Sequence, residues 1–255
     1  MLSILVPAFR VHNWEKMYKT ILTAWSHPFE LIIVSHIELP DSLKNIPNIK
    51  WIYDSGNPTR KRQIALLNAT QKYVTWFIDD GEYIPNSLNE LYDEIGFYSP
   101  VSLKYGDCPE GHSWHSIMGK DEYYDFSYSA PLLTMPNIPE GCKILSFGVM
   151  PTHLLCSVGG WDCLFETLAL ADSDLSIRLN KLGFNVKISK KVILKMLHIP
   201  GAEGDHAPVH YAQVEHDEPL FFSIYFSNLS KDRKIIDINN WKESPEVWTR
   251  RNYAV

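Results

Sequence analysis

The 255-residue sequence predicts an α/β fold: a doubly wound, mainly parallel sheet flanked by helices in a single domain. Two patterns lead there. Compact apolar runs such as Leu2 to Pro7 (LSILVP) and Leu31 to Val34 (LIIV) read as strands buried on both faces. Between and after such runs the apolar residues recur at helical spacing, and this alternation through the first 90 residues or so implies βαβ units.

Taken in order, Leu2 to Pro7 is the first strand, ended by its proline. From Asn13 to Trp25 the positions Trp14, Met17, Tyr18, Ile21, Leu22 and Trp25 make one helical face, which leads into the second strand at Leu31 to Val34. Ile49 to Tyr53 reads as a third strand, Arg60 to Thr70 as a helix, and Tyr73 to Ile78 as a fourth strand. After Pro100 regularity gives way to a stretch rich in Gly, Pro, Ser, Tyr and His, read as long loops to about Gly141. Ile144 to Met150 is then a strand, Asp172 to Leu182 a helix stopped by Gly183, and Asn185 to Ile188 and Val192 to Met196 are extended. The tail from Lys231 carries Trp241, Trp248, Arg250 and Arg251 and reads as a docking segment.

Composition narrows the function. With 45% hydrophobic and 13% aromatic residues the chain can bury a substantial core. A formal charge of -6 disfavours a nucleic-acid partner, although the cluster Arg60 to Arg62 and the tail leave a nucleic-acid acceptor open. The four cysteines form no CxxC pair and no metal-site spacing, so reduced structural thiols are expected. Without a signal-like leader or a run of about 18 apolar residues, the expected location is the cytoplasm.

The densest chemical signal is Tyr73 to Gly81 (YVTWFIDDG), an apolar strand that ends in Asp79 and Asp80. Open α/β sheets bind ligands at the carboxyl ends of their strands, and paired carboxylates attract Mg²⁺ or Mn²⁺, which bridge diphosphate oxygens. By itself the pair also suits an ordinary Asp-Gly turn. Upstream, Asn57 to Gln63 (NPTRKRQ) places three cations at the opening of a helix, a setting that favours anions. Cations on one side and a metal on the other are the two parts of a nucleotide diphosphate site.

These segments resemble the family-2-type GT-A glycosyltransferases over most of residues 2 to 200. The opening strand LSILVPAF, the helix arginine Arg62 and the acidic step DDGEYIP carry the likeness. It implies an inverting, metal-dependent transfer of a sugar from a nucleotide diphosphate, UDP-sugar or GDP-sugar, to an acceptor hydroxyl. Pro7, Phe9, Arg62, Asp79 and Asp80 would bind the donor, Asp79 near the ribose, and Asp80 the metal, Mn²⁺ or Mg²⁺. Residues 1–99 would form the nucleotide-sugar half and 100–230 the acceptor half, with 231–255 as a C-terminal tail. Two departures stand out: Gly81 replaces the second acid of an Asp-x-Asp, leaving Glu82 as a possible partner, and Ser35-His36 stand where relatives often carry a base-reading aspartate.

A second acidic constellation, Gly159-Gly160-Trp161-Asp162 followed by Ala171-Asp172-Ser173-Asp174, resembles the family's GGFDE segment and the acidic helix after it. Relatives often have Glu-Asp where this chain has Ala171-Asp172. The likeness makes Asp172 the base that takes the acceptor's proton; capping of the helix by Asp172 is the plainer alternative. His198, at the end of an apolar run, matches a family metal ligand, with His206 and His210 beyond it. Trp114 and Trp161 are candidates to stack on an acceptor sugar, or to pack under a loop. Two rivals remain: an inactive nucleotide-sugar- or glycan-binding module of the same fold, and a nucleotidyltransferase. The latter is disfavoured by Pro-Ala-Phe-Arg where a Gly-rich, Lys-containing loop would stand.

Overall fold

Because side chains alternate across a strand, a strand covered on both faces is apolar at nearly every position. β1 (Leu2–Pro7) is buried throughout. Its Leu2, Ile4 and Val6 enter one hydrophobic cluster and Leu5 the other. β2 (Phe29–Ser35) divides the same way, Leu31 and Ile33 to the first cluster, Ile32 and Val34 to the second. The computed structural model describes residues 1–106, 139, 142–196, 206–226 and 232–253.

Helices cover the two faces in turn, as a doubly wound sheet requires. α1 (Trp14–Ala24) buries Trp14, Met17, Ile21 and Ala24 in the first cluster. After α2 (Asp41–Lys44) and β3 (Ile49–Tyr53), α3 (Pro58–Leu67) buries Ile64, Ala65 and Leu66 in the second. α3 starts earlier than its periodicity suggests because Pro58 opens it and the Asn57 side chain accepts from the Arg60 amide at 2.8 Å. Then come β4 (Tyr73–Trp76), β5 (Gly81–Tyr83), α4 (Ser87–Ile95), β6 (Val101–Gly106), β7 (Gly148–Pro151) and α5 (Thr152–Ser157). α6 (Leu168–Lys181), β8 (Lys187–Met196), α7 (Ala207–Ala212) and α8 (Glu218–Phe226) follow.

The strands form one eight-stranded sheet in the order β3-β2-β1-β4-β7-β6-β8-β5. β3, β2, β1 and β4 are mutually parallel, β7 runs antiparallel to β4 and β6, and β6 is parallel to β8. The sheet is therefore parallel in its N-terminal half and mixed beyond it. No helix among the described residues is long and apolar enough to cross a membrane.

Three local expectations are corrected. Residues 101–106, read as the start of a loop region, are strand β6: Val101, Leu103 and Tyr105 face the core, while Ser102 and Lys104 break the apolar run. The strand between 144 and 150 begins only at Gly148, since the Leu145 amide is turned to the Ser176 hydroxyl of α6 at 2.8 Å. Gly148 itself passes beneath an indole, and a Cβ there would lie 2.6 Å from the Trp76 ring. Residues 187–196 form one strand with register shifts against β6, in place of two extended pieces.

Candidate active site

β1 and β4 are neighbours, so their carboxyl ends bring the Ala8-Phe9-Arg10 turn against Asp79 and Asp80. Asp79 is fully buried. Its carboxylate accepts from the Phe9 amide at 2.5 Å, from the Arg10 amide, from the Trp14 indole at 3.0 Å and from Arg10 Nη1 at 3.1 Å. Four donors from one short segment make Asp79 the anchor of the turn after β1. Asp80, 2% exposed, is approached at Oδ2 by Arg10 Nη1 at 3.3 Å and by His206 Nε2 at 3.5 Å. Arg10 Nη2 also lies 3.1 Å from His206 Nε2. Glu82, expected as an optional metal partner, is ion-paired with Lys16.

Pro7 closes β1 opposite Val34 of β2, and Phe9 projects from the turn beyond it. The Phe9 ring meets Lys61 Nζ at 3.8 Å and the Arg251 guanidinium at 4.3 Å, with His36 at 6.2 Å. Burial pulls the Lys61 ammonium down to about 7 and the His36 imidazole to about 4, the latter aided by the Lys61 charge. The tail completes this corner: the Trp248 amide donates to Ser55 O at 2.9 Å, and Arg60 Nη1 donates to Ser244 O at 2.8 Å.

The second acidic motif lies one turn inside α6, not at its start. Asp172 is therefore no N-cap. That end of the helix is held instead by Asp217, which accepts from the Glu166 amide at 2.8 Å and the Thr167 amide at 2.7 Å. Asp172, 3% exposed, receives Arg62 Nη1 on Oδ1 at 2.8 Å and Oδ2 at 2.9 Å, and the Trp161 indole on Oδ1 at 2.8 Å. Burial raises its pKa to about 6, with the Arg62 charge and the Trp161 hydrogen bond opposing the rise. Arg62 is fully buried, and its Nε and Nη2 meet no hydrogen-bond partner among the described residues. Asp174 is held by Arg178 at 2.7 Å, Tyr225 at 2.7 Å and Arg233 at 2.9 Å, an arrangement that locks α6 to α8 and the tail.

Among the predicted residues, Arg62 and Asp172 are thus brought together, as are Phe9, Asp79 and Asp80. Trp161, expected either as an acceptor platform or as packing, is fully buried and edge-on to Trp76 at 5.0 Å, the packing arrangement of the two. Trp114 and His198 lie outside the described residues. Sequence reasoning missed Arg10 as a partner of both aspartates, although it stands directly after Phe9. It also ranked His206, the histidine next to Asp80, below His198.

The class this architecture defines is the GT-A-type glycosyltransferase fold. Solved structures of S. aureus TarS share it. TarS 1-349 in complex with UDP superposes with a TM-score of 0.55 at 15% identity, over 90% of this chain and 70% of that one. The complex of TarS 1-349 with UDP-GlcNAc gives 0.52 at 19% identity, over 78% and 59%. TarS without the 1-349 limit gives 0.54 at 17% identity, over 91% of this chain and 41% of TarS. In a further structure of TarS 1-349 this chain spans 60% of its counterpart's length. At these identities the likeness is one of fold. No family model matches the sequence, and no curated protein does.

Proposed function

We propose that this chain is an inverting, metal-dependent glycosyltransferase that moves a sugar from a nucleotide diphosphate, UDP-sugar first and GDP-sugar second, to an acceptor hydroxyl. The observation that carries the reading is the acid pair Asp79-Asp80 following β4, in a sheet of GT-A order. Its likeness to a protein solved with UDP and with UDP-GlcNAc supports the choice of donor.

The donor set around Asp80 suits a divalent cation. Asp80 Oδ2 and His206 Nε2 offer a carboxylate oxygen and an imidazole nitrogen 3.5 Å apart. No group of three or more His, Cys, Asp or Glu side chains suited to a metal occurs among the described residues. Few protein ligands suit an ion such as Mg²⁺, which is commonly bound through one or two carboxylates plus substrate phosphates. Mn²⁺ or Mg²⁺ held by Asp80 and His206 would neutralise negative charge on the departing diphosphate.

The chain's own residues do the rest. Asp79 fixes the turn that carries Phe9 against the nucleotide. Asp172 takes the proton of the acceptor hydroxyl as its oxygen attacks the anomeric carbon from the face opposite the leaving group, which inverts the centre. Arg62 keeps Asp172 ionised at neutral pH, because its charge opposes the desolvation that raises the carboxyl pKa. Trp161 holds one carboxylate oxygen by its indole N–H and so orients the other. The acceptor and the sugar are left to experiment.

A thermal-shift series with UDP, GDP, CDP and their sugars, with and without Mn²⁺, tests the donor, since a ligand that binds the folded state stabilises it by mass action. A UDP- or GDP-sugar should raise the melting temperature most when Mn²⁺ is present, and incubation with acceptors should release nucleotide faster than hydrolysis alone. If no nucleotide shifts the transition under either condition, the proposal fails. A nucleotide-sugar-binding module without turnover is the second reading, favoured by the close Asp172–Arg62 pair. It predicts metal-dependent stabilisation with no nucleotide release above the hydrolysis background.

A further inference from the structure

The acid pair holds a positive group of the chain's own. Arg10, directly after Phe9, places Nη1 3.1 Å from Asp79 Oδ1 and 3.3 Å from Asp80 Oδ2, and Nη2 3.1 Å from His206 Nε2. The guanidinium therefore contacts both groups proposed to hold the cation. Its side chain is 12% exposed and both carboxylates are almost completely buried, so solvent screens these charges weakly.

We propose that Arg10 couples cation binding to donor binding: without donor its guanidinium occupies the Asp80–His206 site, and a diphosphate draws it away and opens that site to the metal. This rests on the glycosyltransferase reading above.

The physical argument is competition between like charges for one set of donors. A divalent ion on Asp80 Oδ2 and His206 Nε2 would stand in contact with the guanidinium at its present position, and two cations repel. A diphosphate offers the planar fork of an arginine a doubly bonded alternative, a geometry in which Arg is superior to Lys. Once Arg10 has turned to phosphate oxygens, Asp80 regains its attraction for the ion. Departure of the side chain does not release the turn, because Asp79 keeps the Phe9 and Arg10 main-chain amides and the Trp14 indole. Coupling of this kind is reciprocal: the nucleotide tightens the metal by the same factor as the metal tightens the nucleotide.

The test is Mn²⁺ binding to the full chain, read by electron paramagnetic resonance of the free ion, with and without UDP and GDP. Wild type, Arg10→Met and Arg10→Lys are compared. In wild type, Mn²⁺ alone should bind weakly and UDP should tighten it roughly tenfold or more, within the usual range of coupling between sites. Arg10→Met should bind Mn²⁺ alone about fivefold or more tightly than wild type, with a correspondingly smaller gain from nucleotide. Arg10→Lys keeps the charge without the fork and should stay close to wild type for Mn²⁺ alone. Equal or weaker Mn²⁺ binding by Arg10→Met in the absence of nucleotide overturns the inference. If neither UDP nor GDP binds any of the three proteins, it is the glycosyltransferase reading that falls, while the Mn²⁺-alone comparison still decides whether Arg10 blocks the cation.

Discussion

Two aspartate pairs sit in this molecule, Asp79-Asp80 in the turn after β4 and Asp172-Asp174 inside α6, and they divide labour in the same way. In each, one carboxylate is wrapped in donors that tie segments together. Asp79 takes four donors from the turn after β1, and Asp174 takes Arg178, Tyr225 and Arg233. The other member faces partners suited to exchange or to proton transfer: Asp80 beside Arg10 and His206, and Asp172 beside Arg62 with its pKa at about 6. Buried ion pairs are costly to break, whereas a carboxylate meant for chemistry needs a pKa near the working pH. The difference within each pair therefore separates what holds the fold from what the proposed reaction uses.

Removing the structural member should do the most damage. Asp174→Ala strands Arg178 in the core without its carboxylate, and breaking such a pair costs about 3–5 kcal/mol; chemical denaturation should show a stability loss of that order. A loss under 1 kcal/mol would break the comparison. The reactive member should behave in the opposite way. Asp172→Asn keeps shape, volume and an oxygen for the Arg62 guanidinium, so it costs some stability but less than a truncation, while sugar transfer should fall by roughly 10²- to 10⁴-fold, the usual contribution of a positioned base. Full activity in this variant would remove Asp172 from the mechanism.

A smaller effect follows from pH. Asp172 has its folded pKa raised, so the ionised base becomes available only as pH climbs through about 6. Below that midpoint kcat/KM should rise about tenfold per pH unit, and above it should level off. The same shift makes the carboxyl's contribution to stability decline as pH rises from its ordinary value of 3.8 to about 6, because the folded state binds the proton more tightly there. The subtlest test is Trp161→Phe. It deletes the indole N–H that lowers the Asp172 pKa, so the midpoint of the pH profile should move upward, with a stability loss of about 1 kcal/mol. A profile that does not move would mean that Trp161 serves packing alone.

Much of the parallel half of the fold was legible in the sequence, for a physical reason. β1 and the core of β2 are covered on both faces, so their residues are apolar almost throughout, with Ser3 the exception in β1, and the runs are unmistakable. β6 was hidden because Ser102 and Lys104 interrupt it, the first reaching the Ile144 carbonyl and the second pairing its amide with Ser189. The place of the acid pair after β4 could be read because the apolar strand stops abruptly at two carboxylates. The start of α6 could not, since the amides of Glu166 and Thr167 just before it are met by Asp217, fifty residues further along the chain from Thr167. Arg10 and His206 escaped for the same reason. Their nearness to Asp80 comes from the pairing of β1 with β4 and from the return of the chain at residue 206, which no local spacing records.

That Asp217 contact has a further consequence. His206 and Asp217 belong to one described ribbon, residues 206–226, with the first beside the acid pair and the second clasping the front of the helix that bears Asp172. Any displacement of this ribbon pulls on both centres together. One continuous stretch of chain thus ties the acid pair after β4 to the segment that opens α6.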